Sequence, residues 1–174
     1  MPQKSTTQHE TAAKQRPCLA HALRLLTRRA LSDQALQQEL AQAAYAPEDI
    51  EAAMVQIRAW GYINDERLGE SVVAAAVRQK KGPAWLRQQL GKRHVPTSIA
   101  SRCVDALQGD AQTLAQEVLL RRFGAAKLAD ARTALRAMRL LQRRGFDGST
   151  IRQALQTVRQ NGPGPADELD LDEP

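Results

Sequence analysis

The sequence predicts an all-α protein, built as an elongated tandem array of three three-helix repeats. Three observations carry that expectation. The chain is rich in Ala, Leu, Gln and Arg, side chains that lose little freedom in a helix. Aromatic residues make up only 3%, too few for a β core built on ring packing. Apolar residues recur at helical spacing, and the pattern itself returns after about fifty residues.

Residues 1–16 are polar and aperiodic and are expected to form a disordered arm. The helical period starts at Pro17, with Leu19, Leu23 and Leu26 as a first apolar stripe. Ser32 suits the N-cap of a short helix bearing Leu36 and Leu40. Pro47 fits a first helical position, and Glu48 and Asp49 favour the positive end of the helix that carries Ile50, Met54 and Ile57. Gly61 suits the stop. Asn64-Asp65-Glu66 starts the next helix, with Leu68, Val72, Ala76 and Val77 on its inner face. Gly82-Pro83 breaks the chain and opens a helix with Leu86 and Leu90, and Pro96 precedes one with Ile99, Cys103 and Leu107. A further unit starts near Asp110, with Leu114, Val118 and Leu119 before a break at Phe123-Gly124. A longer helix is expected to bury Leu128, Ala131, Leu135, Met138 and Leu141 and to end at Gly145. Ser149 is expected to cap the last helix, with Ile151, Leu155 and Val158.

The repeat is legible in register. Leu36, Leu40, Tyr45 and Ile50 match Leu86, Leu90, Val95 and Ile99, and then Ala137, Leu141, Phe146 and Ile151. The predicted segments are an arm at 1–16, repeats at 17–62, 63–109 and 110–160, and a disordered acidic tail at 161–174. Short helices bury little alone, so stacked neighbours must complete each core.

The formal net charge is +6, unevenly spread. Asp167, Glu168, Asp170, Asp172 and Glu173 lie in the last twelve residues, which hold no base. Residues 1–162 carry 25 bases against 14 acids, a balance of +11. Such a surplus suits polyanionic partners. The tail is either a solubilising end or a segment that folds back and competes with those partners.

No zinc, nucleophile-elbow or dinucleotide motif is present, and Gly91-Lys92 lacks the flanking residues of a phosphate loop. Cys18 and Cys103 are widely spaced, and His9, His21 and His94 are isolated in sequence, so no metal or cofactor is expected. The N-terminal residues show no apolar signal core, and no stretch approaches the ~20 apolar residues of a membrane span, so a cytoplasmic protein is expected. Trp60 and Trp85 are expected in the core rather than as base-stacking platforms, since each adjoins an apolar stripe.

Two basic features remain. Ser71 to Val104 holds no acid but carries Arg78, Lys80, Lys81, Arg87, Lys92, Arg93 and Arg102. Arg132, Arg136, Arg139 and Arg143 share one helix face, and their guanidinium forks suit phosphate or carboxylate. A solvated basic face is the plain alternative for either feature alone. Together they point to a binding surface.

Gly61-Tyr62-Ile63-Asn64-Asp65-Glu66-Arg67, followed by Lys81-Gly82-Pro83-Ala84-Trp85-Leu86-Arg87-Gln88-Gln89-Leu90 and then Lys92-Arg93-His94-Val95, resembles the core motif of RecX regulatory proteins. The resemblance spans roughly residues 19–159 and is strongest over 60–107. One departure is Leu68-Gly69, where the family usually has an aromatic residue and Ala. The resemblance implies three tandem three-helix repeats. It also implies a protein that binds RecA and RecA filaments on single-stranded DNA, inhibits RecA ATPase, strand exchange and coprotease activity, and is not an enzyme. A monomer is expected, contacting RecA and single-stranded DNA through Arg78, Lys80, Lys81, Arg87, Lys92, Arg93, Arg132, Arg136, Arg139 and Arg143. The rivals are a helical DNA-binding module acting without RecA, which would need a base-reading helix, and an enzyme with a site assembled from distant residues.

Overall fold

A computed structural model of the chain describes the backbone of residues 5–161 and the side chains from 17 to 161. The acidic stretch from 163 onward lies outside the described residues. Among those residues there are eight α-helices and one 3-10 turn, and no strand. They are α1 (Ser5–Arg28), α2 (Asp33–Gln42), α3 (Pro47–Ala59), α4 (Asp65–Arg78), α5 (Pro83–Lys92), α6 (Thr97–Arg122), the 3-10 turn Ala126–Ala129, α7 (Ala131–Arg143) and α8 (Gly148–Gln160).

Most helix starts follow the local chemistry that announces them. Ser32 caps α2 through its hydroxyl, which accepts from the Ala35 N–H at 3.1 Å. Asn64 Oδ1 accepts from the Arg67 N–H at 2.8 Å at the start of α4. Pro47 opens α3, and Pro83 opens α5. Four details depart from the sequence expectation. Pro17 lies inside α1, which starts at Ser5, upstream of the point where the apolar period begins. α6 runs unbroken through Gly109-Asp110, because neither residue forces a turn and buried Leu107, Ala111 and Leu114 keep one helical phase. Leu128 sits in the 3-10 turn and not in α7, since Asp130 takes an extended conformation and caps a new helix there. α8 is capped by Asp147 and not by Ser149: the carboxylate reaches the Thr150 N–H at 2.8 Å, and the Ser149 hydroxyl donates to it.

The repeat recurs as one turn geometry. The chain passes through a left-handed residue at Ala44 (φ +60°), His94 (φ +54°) and Gly145 (φ +88°). After each, an N–H returns to a buried leucine carbonyl, as Tyr45 to Leu40, Val95 to Leu90 and Phe146 to Leu141. Leu36 with Leu40, Leu86 with Leu90, and Ala137 with Leu141 are all fully buried. Burying one such leucine is worth about 1.5–3 kcal/mol.

The chain divides into two compact units. The first holds Met1–Val72 with Gln89–Ala100, and the second holds Val73–Gln88 with Ser101–Pro174. A core of the first unit comprises Cys18, Ala22, Leu31, Ala35, Leu36, Leu40, Ala53, Met54 and Ile57. The stripe on α1 is therefore Cys18 and Ala22, with Leu19, Leu25 and Leu26 packed beside it. Burial pushes the Cys18 thiol up, helped by the nearby Asp49 carboxylate. Asp33 at the start of α2 is held by Arg58, whose Nε donates to Oδ2 at 2.6 Å and Nη2 to Oδ1 at 3.0 Å. That contact keeps the Asp33 carboxyl below its usual range. In the second unit, α7, α8 and the 3-10 turn pack together, and Arg159 Nε donates to the Leu128 carbonyl at 2.9 Å. Trp60 is not a core residue. It is 53% exposed at the C-cap of α3 and meets Tyr62 edge-on, and the chain turns at Gly61 directly after it.

Candidate nucleic-acid interface

α7 starts at Asp130, whose carboxylate accepts from the Thr133 N–H at 2.8 Å and from its hydroxyl at 2.9 Å. The backbone N–H of Thr133 is the main reason that this carboxyl sits below its usual range. One face of α7 is buried through Ala134, Ala137 and Leu141. Small residues there let the helix approach its neighbours closely. At 100° per residue, Arg132, Arg136, Arg139 and Arg143 fall on the opposite side, and all four are exposed. None of them forms an ion pair among the described residues, and α7 contains no acid. Leu135 lies beside them, 50% exposed. The inner stripe predicted through Ala131 and Leu135 is therefore wrong in phase by one residue. The arginines stand opposite the core and do not cover its edge.

The acid-free segment behaves differently. Arg78 and Arg87 are exposed. Lys80 takes a left-handed turn (φ +53°) and pairs with Glu117 of α6. Lys81 Nζ lies 5.7 Å from the centre of the Trp85 ring, which is half-buried. Local sequence suggested that these charges go unneutralised, yet for Lys80 an acid arrives from a distant helix. Lys92 and Arg93 are exposed at the C-terminal end of α5, where a cation also suits the helix dipole. They belong to the first unit and line a cleft with His94 and with Arg29, Gln38 and Gln42, three residues that the sequence did not single out. The signal that could have found the cleft is the repeat itself, which has Ala35 where the second copy has Trp85. Arg144, next to the stripe, is turned inward: its Nη1 donates to the carbonyls of Gln79 at 3.0 Å and Lys80 at 3.1 Å, closing the end of α4.

The arrangement presents fixed cations to a phosphate chain or an acidic protein face. Among the described residues no cluster of His, Cys, Asp or Glu could hold a metal ion, and no helix is long and apolar enough to cross a membrane.

Fold and surface together define a protein of tandem three-helix units with a basic face on α7. The comparisons agree with this class. Residues 110–155 match the family model described as RecX, third three-helix domain. A regulatory protein RecX of Stenotrophomonas maltophilia is 33% identical over 148 residues, covering 83% of this chain and 91% of that protein. Another, from Acidithiobacillus ferrooxidans, is 39% identical over 141 residues, covering 81% and 90%. The crystal structure of RecX from Lactobacillus salivarius superposes with a TM-score of 0.70 at 20% identity, covering 86% of this chain and 99% of that one. The chain belongs to the RecX family of regulatory proteins.

Proposed function

We propose that this protein binds RecA and RecA filaments on single-stranded DNA and inhibits RecA ATPase, strand exchange and coprotease activity, thereby modulating recombinational repair and the SOS response. It acts as a cytoplasmic monomer, without a cofactor and without chemistry of its own. The observation that supports this most is the α7 stripe: Arg132, Arg136, Arg139 and Arg143 are exposed, unpaired among the described residues, and opposite the buried face. Four cations on one helix face serve no core, so their use lies with an external anion. Each phosphate neutralised on a single strand releases counterions, with a salt slope of about −0.7 per contact. Tandem units add contacts along one filament, and linked contacts favour the filament over a free RecA molecule. The test is the ATPase of RecA on single-stranded DNA, with and without this protein. Substoichiometric protein should depress the rate. An unchanged rate at equimolar protein would end this proposal.

A further inference from the structure

In the first unit, the start of α2 meets the turn that ends α5. The Ser32 hydroxyl donates to the Arg93 carbonyl at 2.7 Å, and the chain then turns at His94. In the second unit, the start of α5 meets the turn that ends α7 at the corresponding positions, through a backbone N–H in place of a side-chain hydroxyl. The Gly82 N–H donates to the Arg144 carbonyl at 2.8 Å, and the chain turns at Gly145. These positions correspond through the repeat: 32 with 82, 93 with 144, and 94 with 145. Both turns pass through a left-handed residue, and the two joints differ in the side chains around them. At the second, the Trp85 backbone and Cβ lie against the Gly145 turn, and the indole lies beside the Lys81 ammonium. At the first, Ala35 stands in place of Trp85 and Leu31 in place of Lys81. An open cleft of about 340 Å³ remains there.

We infer that this cleft accepts a nucleobase of single-stranded DNA. The inference rests on the DNA-bound filament reading above and deepens it by naming one contact. Trp85 holds the position in the second joint that Ala35 holds here, and a purine has the same flat two-ring plan as its indole. Leu31 and Ala35, both nearly buried, give the ring an apolar surface. Gln38 and Gln42 line the same cleft. Their amides can donate to and accept from a base edge. The charge is complementary as well. Arg29, Lys92 and Arg93 line the cleft against one acid, Glu39, which Arg29 already engages at 2.5 Å. Lys92 and Arg93 thus remain for the phosphate attached to the base.

The full chain is titrated with a single-stranded deoxyadenosine oligonucleotide and with an abasic strand of equal length and charge, followed by fluorescence anisotropy. Wild type should prefer the base-bearing strand by roughly fivefold or more, the range of one base contact. Ala35→Trp puts an indole at the position that Trp85 holds in the second joint, and should lose the preference while keeping its affinity for the abasic strand. Gln38→Ala with Gln42→Ala alters only the cleft wall and should also narrow the preference. It serves as the second variant if circular dichroism shows Ala35→Trp to be misfolded. Equal binding of both strands by wild type, binding of neither, or an undiminished preference in a folded variant would each overturn the inference. So would a loss of RecA inhibition in Ala35→Trp at unchanged base preference, which would assign the cleft to a protein side chain. RecA ATPase inhibition by wild type is scored separately, so failure of the filament reading and failure of the cleft are told apart.

Discussion

Replacing Gly82 by Ala should destabilise the protein by about 3 kcal/mol, because there is no room for one carbon at the second joint. A Cβ on Gly82 would stand 2.5 Å from the Gly145 carbonyl carbon and 2.6 Å from the Phe146 nitrogen. Both are backbone atoms, so no rotamer change relieves the clash. Overpacking of this kind costs about 1–3 kcal/mol. The joint also carries two hydrogen bonds, from the Gly82 N–H to the Arg144 carbonyl at 2.8 Å and from the Ala84 N–H to the Gly145 carbonyl at 3.0 Å. Weakening them adds up to ~1 kcal/mol each. At roughly 2–4 °C per kcal/mol for a chain of this size, melting should fall by roughly 6–12 °C. Gly91 supplies the opposite sign. It lies within α5, and a Cβ there meets nothing within 4 Å. Gly91→Ala should therefore gain about 0.5–1 kcal/mol from helix propensity alone. Urea denaturation of both variants against wild type measures the pair. A Gly82→Ala protein as stable as wild type would show that α5 and the α7 turn do not meet as described.

Two further outcomes follow from the same geometry. Arg132→Glu, Arg136→Glu and Arg139→Glu together should abolish binding to RecA filaments while circular dichroism keeps native helicity, since these side chains face away from the core. A folded triple variant that inhibits RecA like wild type would reduce the stripe to a solvated face. Asp147→Ala should cost about 1 kcal/mol by removing the α8 cap. The hydrogen bond from Ser149, then that from the Thr150 N–H, holds the Asp147 carboxyl well below its usual range. A carboxyl depressed in the folded state stabilises above its unfolded value of about 3.9 and loses that contribution as pH falls through the folded value. The gap between variant and wild type should thus be constant from about pH 5 to 8 and narrow in strong acid. A gap that widens with acid would contradict the capping geometry.

Much of the fold was legible because helix signals are local. Ser32, Pro47 and Pro83 mark starts by their own chemistry, and the leucine pairs 36/40 and 86/90 mark the core by spacing. The phase of α7 was misread because Leu135 is more apolar than Ala134, although Ala134 and Ala137 are the buried pair. The arginines already contained the answer, since the face opposite 132, 136, 139 and 143 is 134, 137 and 141. The pairing of Lys80 with Glu117 and the inward turn of Arg144 depend on contacts far apart in sequence, which no local window reveals. The same holds for the cleft. Its lining comes from two segments of the chain, 29–42 and 92–94, and only their packing joins them.

The boundary between the compact units crosses every helix of the second repeat, between Val72 and Val73 in α4, Gln88 and Gln89 in α5, and Ala100 and Ser101 in α6. The period written in the sequence is therefore offset from the bodies that bury the core. Helical fragments shorter than ~12–15 residues hardly persist in water, and either part of α5 is shorter than that. Each unit therefore holds only a part of α5, and neither part is long enough to stand as a helix alone. A copy of the sequence repeat could not be excised cleanly at its own borders, since both flanking cores would lose part of their walls.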